Sequence, residues 1–335
     1  MADFQAEKAV VRAFHDALAV ATPGSVAAVL ARFTSPDWFW RGMHPFHEQR
    51  GAPAVAEAFW TPLLTAMQPV QRRPDIFMAG LNEMDGFESV WVVSMGHLMG
   101  LFDRPFLGIR PSQRITMLRY AEFNRVENGV ITETAMFCDI PQIMIQAGQN
   151  PFPPQTGAHL VQPGPATHEG LMFGPQDPAQ GTATLAAIKE MLSDLGQRRT
   201  DIPMEDDLRR TWHEDMIWWG PAGIGAAYTI PRYVRQHAGP FRDALHTGYR
   251  FNGHLCRLAE GSFGGFFGWA NLTLINAGGY MGMTASPKPA DMRVVDIYRA
   301  ADGKLAENWI FIDILHWLNM QGLDVLRRME SLHVP

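Results

Sequence analysis

Apolar residues recur at helical spacing near the start of the chain. Phe4, Val11, Phe14 and Leu18 fall on one stripe with Ala6 or Lys8, which predicts a helix over residues 4–18. After Pro23-Gly24 a second short helix is expected over 25–33. An aromatic strand over 37–43 follows, then a helix over about 52–67 whose apolar face carries Val55, Phe59, Leu63 and Leu64. From there the pattern turns strand-like. Residues 115–126 and 130–140 are β-rich runs on either side of Asn128-Gly129, a pair favoured in two-residue type I′ hairpins. Helices followed by a run of antiparallel strands predict an α+β unit: a curved antiparallel sheet with helices packed on its concave side and room for a pocket between them.

The unit is present twice. Asp37-Trp38-Phe39-Trp40-Arg41-Gly42 lies over Asp215-Met216-Ile217-Trp218-Trp219-Gly220, an offset of 215 − 37 = 178, and the same offset carries Pro53 onto Pro231 and Pro62 onto Pro240. Further on the offset becomes 313 − 139 = 174, pairing Gly108 with Gly282, Arg119 with Arg293, Gly129 with Gly303, Glu133 with Glu307, Phe137 with Phe311 and Asp139-Ile140 with Asp313-Ile314. The second copy is therefore four residues shorter (178 − 174) between these blocks. Its helices are expected over 184–195 and 204–212, and Asp302-Gly303 repeats the hairpin signal. Between the copies, residues 151–182 carry Pro151, Pro153, Pro154, Pro163, Pro165, Pro175 and Pro178 without helical or alternating period, and read as a stiff, extended linker. The expected organisation is one domain over 1–150, the linker over 151–182 and a second domain over 183–335.

Composition narrows the functional classes. A chain of 335 residues with 47% hydrophobic and 19% charged content can bury two ordinary cores. A formal charge of −6 without a run of Lys and Arg gives no surface for nucleic acid. No apolar run is long enough to span a bilayer and the amino terminus lacks a secretory pattern, so no membrane partner and a cytoplasmic location are expected. The two cysteines, Cys138 and Cys256, lack metal-ligand spacing and read as small core residues. His44 and His47 read as surface-loop residues, and no metal is expected. The signatures His-Glu-x-x-His, P-loop, Gly-x-Gly-x-x-Gly and Gly-x-Ser-x-Gly are missing, and the Gly-rich stretch 261–268 reads as a hairpin turn.

Candidate chemistry lies on the strands. With a two-residue hairpin loop, alternation puts Glu133, Phe137 and Asp139 on one face with Tyr120 and Glu122; in the second copy the face holds Glu307, Trp309, Phe311 and Asp313 with Asp296 and Tyr298. Aromatics mixed with carboxylates suit a ligand pocket, in which one carboxylate, its pKa raised by its surroundings, works with a His, Tyr or water. The recurrence of Phe-x-Asp-Ile makes Asp139 and Asp313 the candidate carboxylates, with a shared structural cap as the alternative. His97 sits on a predicted strand and is either their catalytic partner or a satisfied core histidine. Trp38, Trp40, Trp218 and Trp219 read as core, as pocket lining, or as both on alternate residues of one strand.

Arg50-Gly51 before a helix with Ala58-Phe59-Trp60, then Gly96-His97-x-x-Gly100-x-Phe102, Gly108-Ile109-Arg110-Pro111-Ser112-Gln113-Arg114, Asn128-Gly129 and Phe137-Cys138-Asp139 form an ordered set. It resembles the SnoaL-like polyketide cyclase family of the NTF2-like superfamily. The resemblance covers nearly all of copy one and, more loosely, copy two. It implies two tandem cystatin-like cones, each with an apolar cavity, and cofactor-free acid/base chemistry of the cyclase, isomerase or lyase type on a small, mostly apolar carbonyl compound. Carried over, Asp139 and Asp313 match the acid/base carboxylate and His97 its histidine. Trp40, Tyr120, Glu122, Phe137, Trp219, Asp296, Tyr298, Trp309 and Phe311 would then line the substrate site. Copy one departs at Ser112-Gln113-Arg114, where Thr-Gly-Arg is usual, and copy two lacks the histidine segment. The alternative is a non-catalytic small-molecule-binding or scaffold protein. Either way the two copies are expected to pair within one chain as a pseudo-dimer, leaving a monomer in solution.

Overall fold

The computed structural model describes residues 3–197, 199–245 and 248–331. The first half is built on β1 (Thr34–Gly42), β2 (Glu48–Arg50), β3 (Met67–Leu81), β4 (Val90–Phe102), β5 (Ile115–Glu127) and β6 (Val130–Cys138), in spatial order β2-β1-β6-β5-β4-β3. Neighbours are antiparallel except β1 and β6, which run parallel, so the sheet is mixed where the sequence suggested a purely antiparallel one.

The second half has β7 (Trp212–Trp219), β8 (Ala227–Tyr228), β9 (Arg250–Phe251), β10 (Cys256–Glu260), β11 (Phe263–Phe267), β12 (Leu272–Ile275), β13 (Pro289–Met292), β14 (Val294–Ala301) and β15 (Lys304–Ile312). Its main sheet repeats the order as β8-β7-β15-β14-β11-β10, with the parallel pair again between the first long strand and the last. One difference matters for function: β9, β12 and β13 have separated into a small sheet of their own.

Helices lie against each sheet. Gln5–Ala19 buries Lys8, Val11, Phe14 and Leu18, the stripe expected from sequence. A π turn at Ala56–Trp60 interrupts the helical segment 52–66, and a second at Val234–Ala238 interrupts 230–245, 178 positions later. A π turn inserts one residue into a helix and is rare, so its recurrence at the same place supports the duplication apart from residue identity. The helix Pro178–Gln197 starts earlier than expected, taking up the last residues assigned to the linker, and Trp212 opens β7 instead of ending a helix. Residues 151–177 are held by Gln142 Nε2 donating to the Leu160 carbonyl, Trp309 Nε1 to Pro163, and the Phe77 amide to Gly170.

Both hairpins form on the expected pairs. Asn128 and Gly129 have φ of 51° and 78°, Asp302 and Gly303 47° and 77°, as a type I′ turn requires. A β-bulge follows at once. Val126 pairs with Ile131 but Arg125 with Glu133, leaving Thr132 extra; Ala300 pairs with Leu305 but Arg299 with Glu307, leaving Ala306 extra. One added residue turns every later side chain of the strand to the opposite face. Tyr120 and Glu122 consequently pair with Cys138 and Met136, and Asp296 and Tyr298 with Ile310 and Asn308. The single face expected from sequence is in fact two faces, one turned into the cone and the other outward.

The outward faces pack against each other. Phe267 meets Trp91, Phe123 and Phe137, with ring centroids 5.6, 5.1 and 6.5 Å apart, and Phe137 meets Trp269 at 5.6 Å. Arg119, buried, lies 4.1 Å over the ring of Phe311 and donates to the carbonyls of Ile310 and Trp219, both at 3.1 Å. Lys8 crosses from one half to the other, pairing with Glu260 at 2.6 Å while the Ala79 amide donates to the same carboxylate. Of the Gly-rich stretch, Gly261 lies at the turn after β10, whereas Gly264 sits inside β11, where a Cβ would collide with Ile188 at 2.7 Å.

Candidate functional site

Asp139 and Asp313 lie at the contact between the halves. Each caps the helix that follows, accepting from the amide of Gln142 or His316 at 3.2 Å through Oδ1. Through Oδ2 each accepts from an amide in the other half: Asp139 from Ala222 at 2.9 Å, Asp313 from His44 at 3.0 Å. Since 222 − 44 = 178, the two bonds are one contact repeated by the pseudo-twofold relation. Asp139 is 4% and Asp313 0% exposed; both accept from backbone amides, Arg293 Nη1 also lies 3.5 Å from Asp313 Oδ2, and burial raises both carboxyls, Asp313 to about 6. Each aspartate of the recurrent Phe-x-Asp-Ile thus caps a helix, which is the structural reading that the sequence offered beside the catalytic one.

The other predicted residues divide by face. His97 opposes Arg119 on the outward side, its Nδ1 3.4 Å from Asp75 and its Nε2 without a partner. Phe137, Trp219, Trp309 and Phe311 also belong to that side, where they serve the interface and the segment 151–177. His44, expected on a surface loop, is buried. Trp40 packs into the first core against Phe46 and Phe59.

Tyr120 and Glu122 do face the cone of the first half, but a charged network occupies it. Glu122 accepts from His15 at 2.6 Å and from Arg72 at 3.1 Å, and Arg72 lies 4.6 Å over the Tyr120 ring. Burial alone would raise the Glu122 pKa; Arg72 and then His15 pull it down to about 2. This carboxylate is a fixed anion with no proton to exchange near neutral pH.

The second cone is open. A cavity of about 590 Å3 lies between its sheet and helices, lined by Met191, Leu192, Trp218, Phe241, Phe266 and Ile310 among others. That volume lies within the range of small-molecule sites. Asp296 and Tyr298 line it, and pairing puts Phe266 beside Asp296 and Trp218 beside Asn308 on the same face. Asp296 accepts from Asn308 Nδ2 at 3.0 Å and from Tyr298, yet among the described residues no cation pairs with it in the way Arg72 pairs with Glu122. Burial therefore dominates and pushes its carboxyl up to about 7.

Two uncharged imidazoles share the cavity. His237 stacks on Trp218 with centroids 3.9 Å apart, and His254 on Phe266 at 3.9 Å. Burial lowers both to about 3, with Arg257 adding to the effect at His254. Tyr233 and Tyr298 are pushed upward, first by burial and then by Asp296, so both phenols keep their protons. The arrangement is a carboxyl that can carry or release a proton at neutral pH, among phenol donors, in an apolar chamber. Among the described residues no three His, Cys, Asp or Glu side chains gather as a metal site. Tyr233, His237, His254 and Asn308 were not picked out from sequence; the inward register after the bulge, two residues before Ile310, is the signal that marks Asn308.

No family model matches the chain, and no curated protein matches it. Solved structures do. A protein classed with the SnoaL-like polyketide cyclases, from Jannaschia sp. CCS1, is similar at 19% identity and TM-score 0.35 over 45% of this chain and 95% of that one. An NTF2-like protein from Burkholderia xenovorans LB400 is similar at 13% identity and TM-score 0.33 over 42% and 97%. An LEH-like epoxide hydrolase from M. tuberculosis is similar at 14% identity and TM-score 0.31 over 45% and 96%. The fold class read from the sequence, α+β with helices on curved sheets, is the one observed.

Proposed function

We propose that the second half is a cofactor-free acid/base enzyme of the cyclase, isomerase or lyase type, acting on a small, mostly apolar carbonyl compound, and that the first half is its scaffold. The observation that carries this reading is Asp296, a carboxyl buried in the wall of an apolar cavity, pushed up to about 7 by that burial and, among the described residues, without a counter-ion. Ionised Asp296 removes a proton from the carbon next to the substrate carbonyl. The C–H electron pair forms the enolate double bond, and Tyr233 donates a hydrogen bond to the oxygen that gains charge. The enolate carbon then takes a proton at the same or another position, or attacks a second carbonyl carbon within the substrate, and protonated Asp296 returns its proton. Asp139 and Asp313 hold the halves together, His97 lies outside the cavity, and none of the three takes part in the proton transfer.

Proton abstraction can be tested without the natural substrate by following exchange of the α-hydrogens of 2-tetralone in D2O by NMR. The whole chain accelerates exchange over buffer, and Asp296→Asn removes the acceleration while retaining binding of the ketone. Wild-type exchange no faster than buffer would leave a binding protein as the better description, and acceleration retained in Asp296→Asn would remove Asp296 as the base.

A further inference from the structure

Three cations line the cavity of the second half: Lys189, Arg257 and Arg242. The first two are both ion-paired to one carboxylate, since Glu83 accepts from Lys189 at 2.6 Å and from Arg257 at 2.5 Å. Arg242 is half-buried on the helix Gly239–Leu245, which with the preceding π turn also brings Tyr233, His237 and Phe241 to the cavity. Arg242, Tyr233 and Asp296 all line the cavity, and both charges act on the Tyr233 phenol. Among the described residues, no ion pair joins Arg242 to a carboxylate. A half-desolvated guanidinium in an apolar wall gains most from a planar anion that it can grip with two N–H groups.

We propose that the ligand of this cavity is an amphiphile with an anionic end, a carboxylate in the simplest case, gripped by Arg242, with its apolar body among Met191, Leu192, Phe241 and Ile310 and its carbonyl carbon chemistry at Asp296. This rests on the cavity being the functional site and adds the class of substrate it takes. Arg242 is the specificity determinant: it fixes which end of the molecule enters the Asp296 side, and it does not touch the reacting atoms.

The test compares 2-naphthoate with its neutral isostere 2-naphthamide, using quenching of tryptophan fluorescence in the whole chain. Naphthoate is expected to bind at least tenfold more tightly than the amide, and Arg242→Gln to erase that preference while leaving amide affinity within twofold. Asp296→Asn should keep the preference for the anion. Equal affinity of wild type for the two probes, or an unchanged preference in Arg242→Gln, overturns the anionic-end assignment but leaves the cavity as a binding site. Failure of both probes to bind, while 2-tetralone exchange is still accelerated, overturns it as well and leaves the acid/base reading intact. Failure of both probes and of exchange overturns the two together. Thermal unfolding of each variant shows that a lost preference is not a lost fold.

Discussion

Replacing Asp296 by Asn exchanges a carboxyl for a near-isosteric neutral amide, and its effect on stability can be worked out from the cavity alone. Burial raises this carboxyl from 3.8 to about 7. At about 1.4 kcal/mol per pKa unit, ionising it inside the protein costs on the order of 4 kcal/mol more than in the unfolded chain. The sign follows from the two pKa values. Below the unfolded value both states hold the proton and there is no penalty; between the two, only the unfolded chain ionises and wild type loses stability as pH rises; above about 7 the penalty is complete. Asp296→Asn is therefore expected to match wild type near pH 4 and to exceed it at pH 8, by a margin of roughly 2–4 kcal/mol once the solvent reaching the cavity is allowed for. Urea unfolding of both proteins at unit pH steps measures the difference directly, with the other titrating groups cancelling between them. A wild type that gains stability over the variant as pH rises would show that Asp296 is held as a stabilised anion, and a difference independent of pH would show an unshifted carboxyl; either refutes the catalytic assignment. The same value predicts that wild-type tetralone exchange rises with pH and levels above about 7, because the base must be ionised.

Three further outcomes test the scaffold role. Glu122→Gln leaves Arg72 buried without its partner and should cost about 3–5 kcal/mol at pH 7; since the folded Glu122 value is depressed to about 2, the stabilisation lost is present above the unfolded value near 4.5 and fades as pH falls toward 2, which urea titrations at pH 3 and 7 will show. Asp139→Ala and Asp313→Ala each orphan two backbone amides and should lower stability by about 1–3 kcal/mol with tetralone exchange unchanged; a folded Asp139→Ala protein without exchange would return the chemistry to the interface. Light scattering should give a monomer of 37.4 kDa, because the sheet faces available for pairing are already used within the chain; a stable dimer would contradict that occupancy.

The duplication was legible because it rests on many separated identities, and the hairpins were legible because Asn-Gly and Asp-Gly pairs state their turn type in two residues. What sequence alternation could not show was the bulge beyond each turn. Thr132 and Ala306 are ordinary strand residues, and nothing in their chemistry announces that they stand unpaired. Missing that single insertion put Asp139 and Asp313 with the inward Tyr120 and Asp296, when they point to the other half. The residues that fill the second cavity, Tyr233, His237 and His254, come from a helix and a loop with no period of their own, so only the assembled fold gathers them.

The two cones also show how one scaffold yields a closed half and an open one. Glu122 and Asp296 occupy the same place in the repeat, since 296 − 122 = 174, and both face inward. Around Glu122 the helix Gln5–Ala19 supplies His15 and strand β3 supplies Arg72, and these partners stand inside the cone and fix the charge. Around Asp296 the corresponding helix supplies Met191, Leu192 and Leu195, while the far end of the sheet has parted into the separate β9, β12 and β13. Withdrawing the charged partners leaves both a void and a carboxyl with nothing to hold it ionised. The same change thus creates the chamber and sets the proton affinity within it.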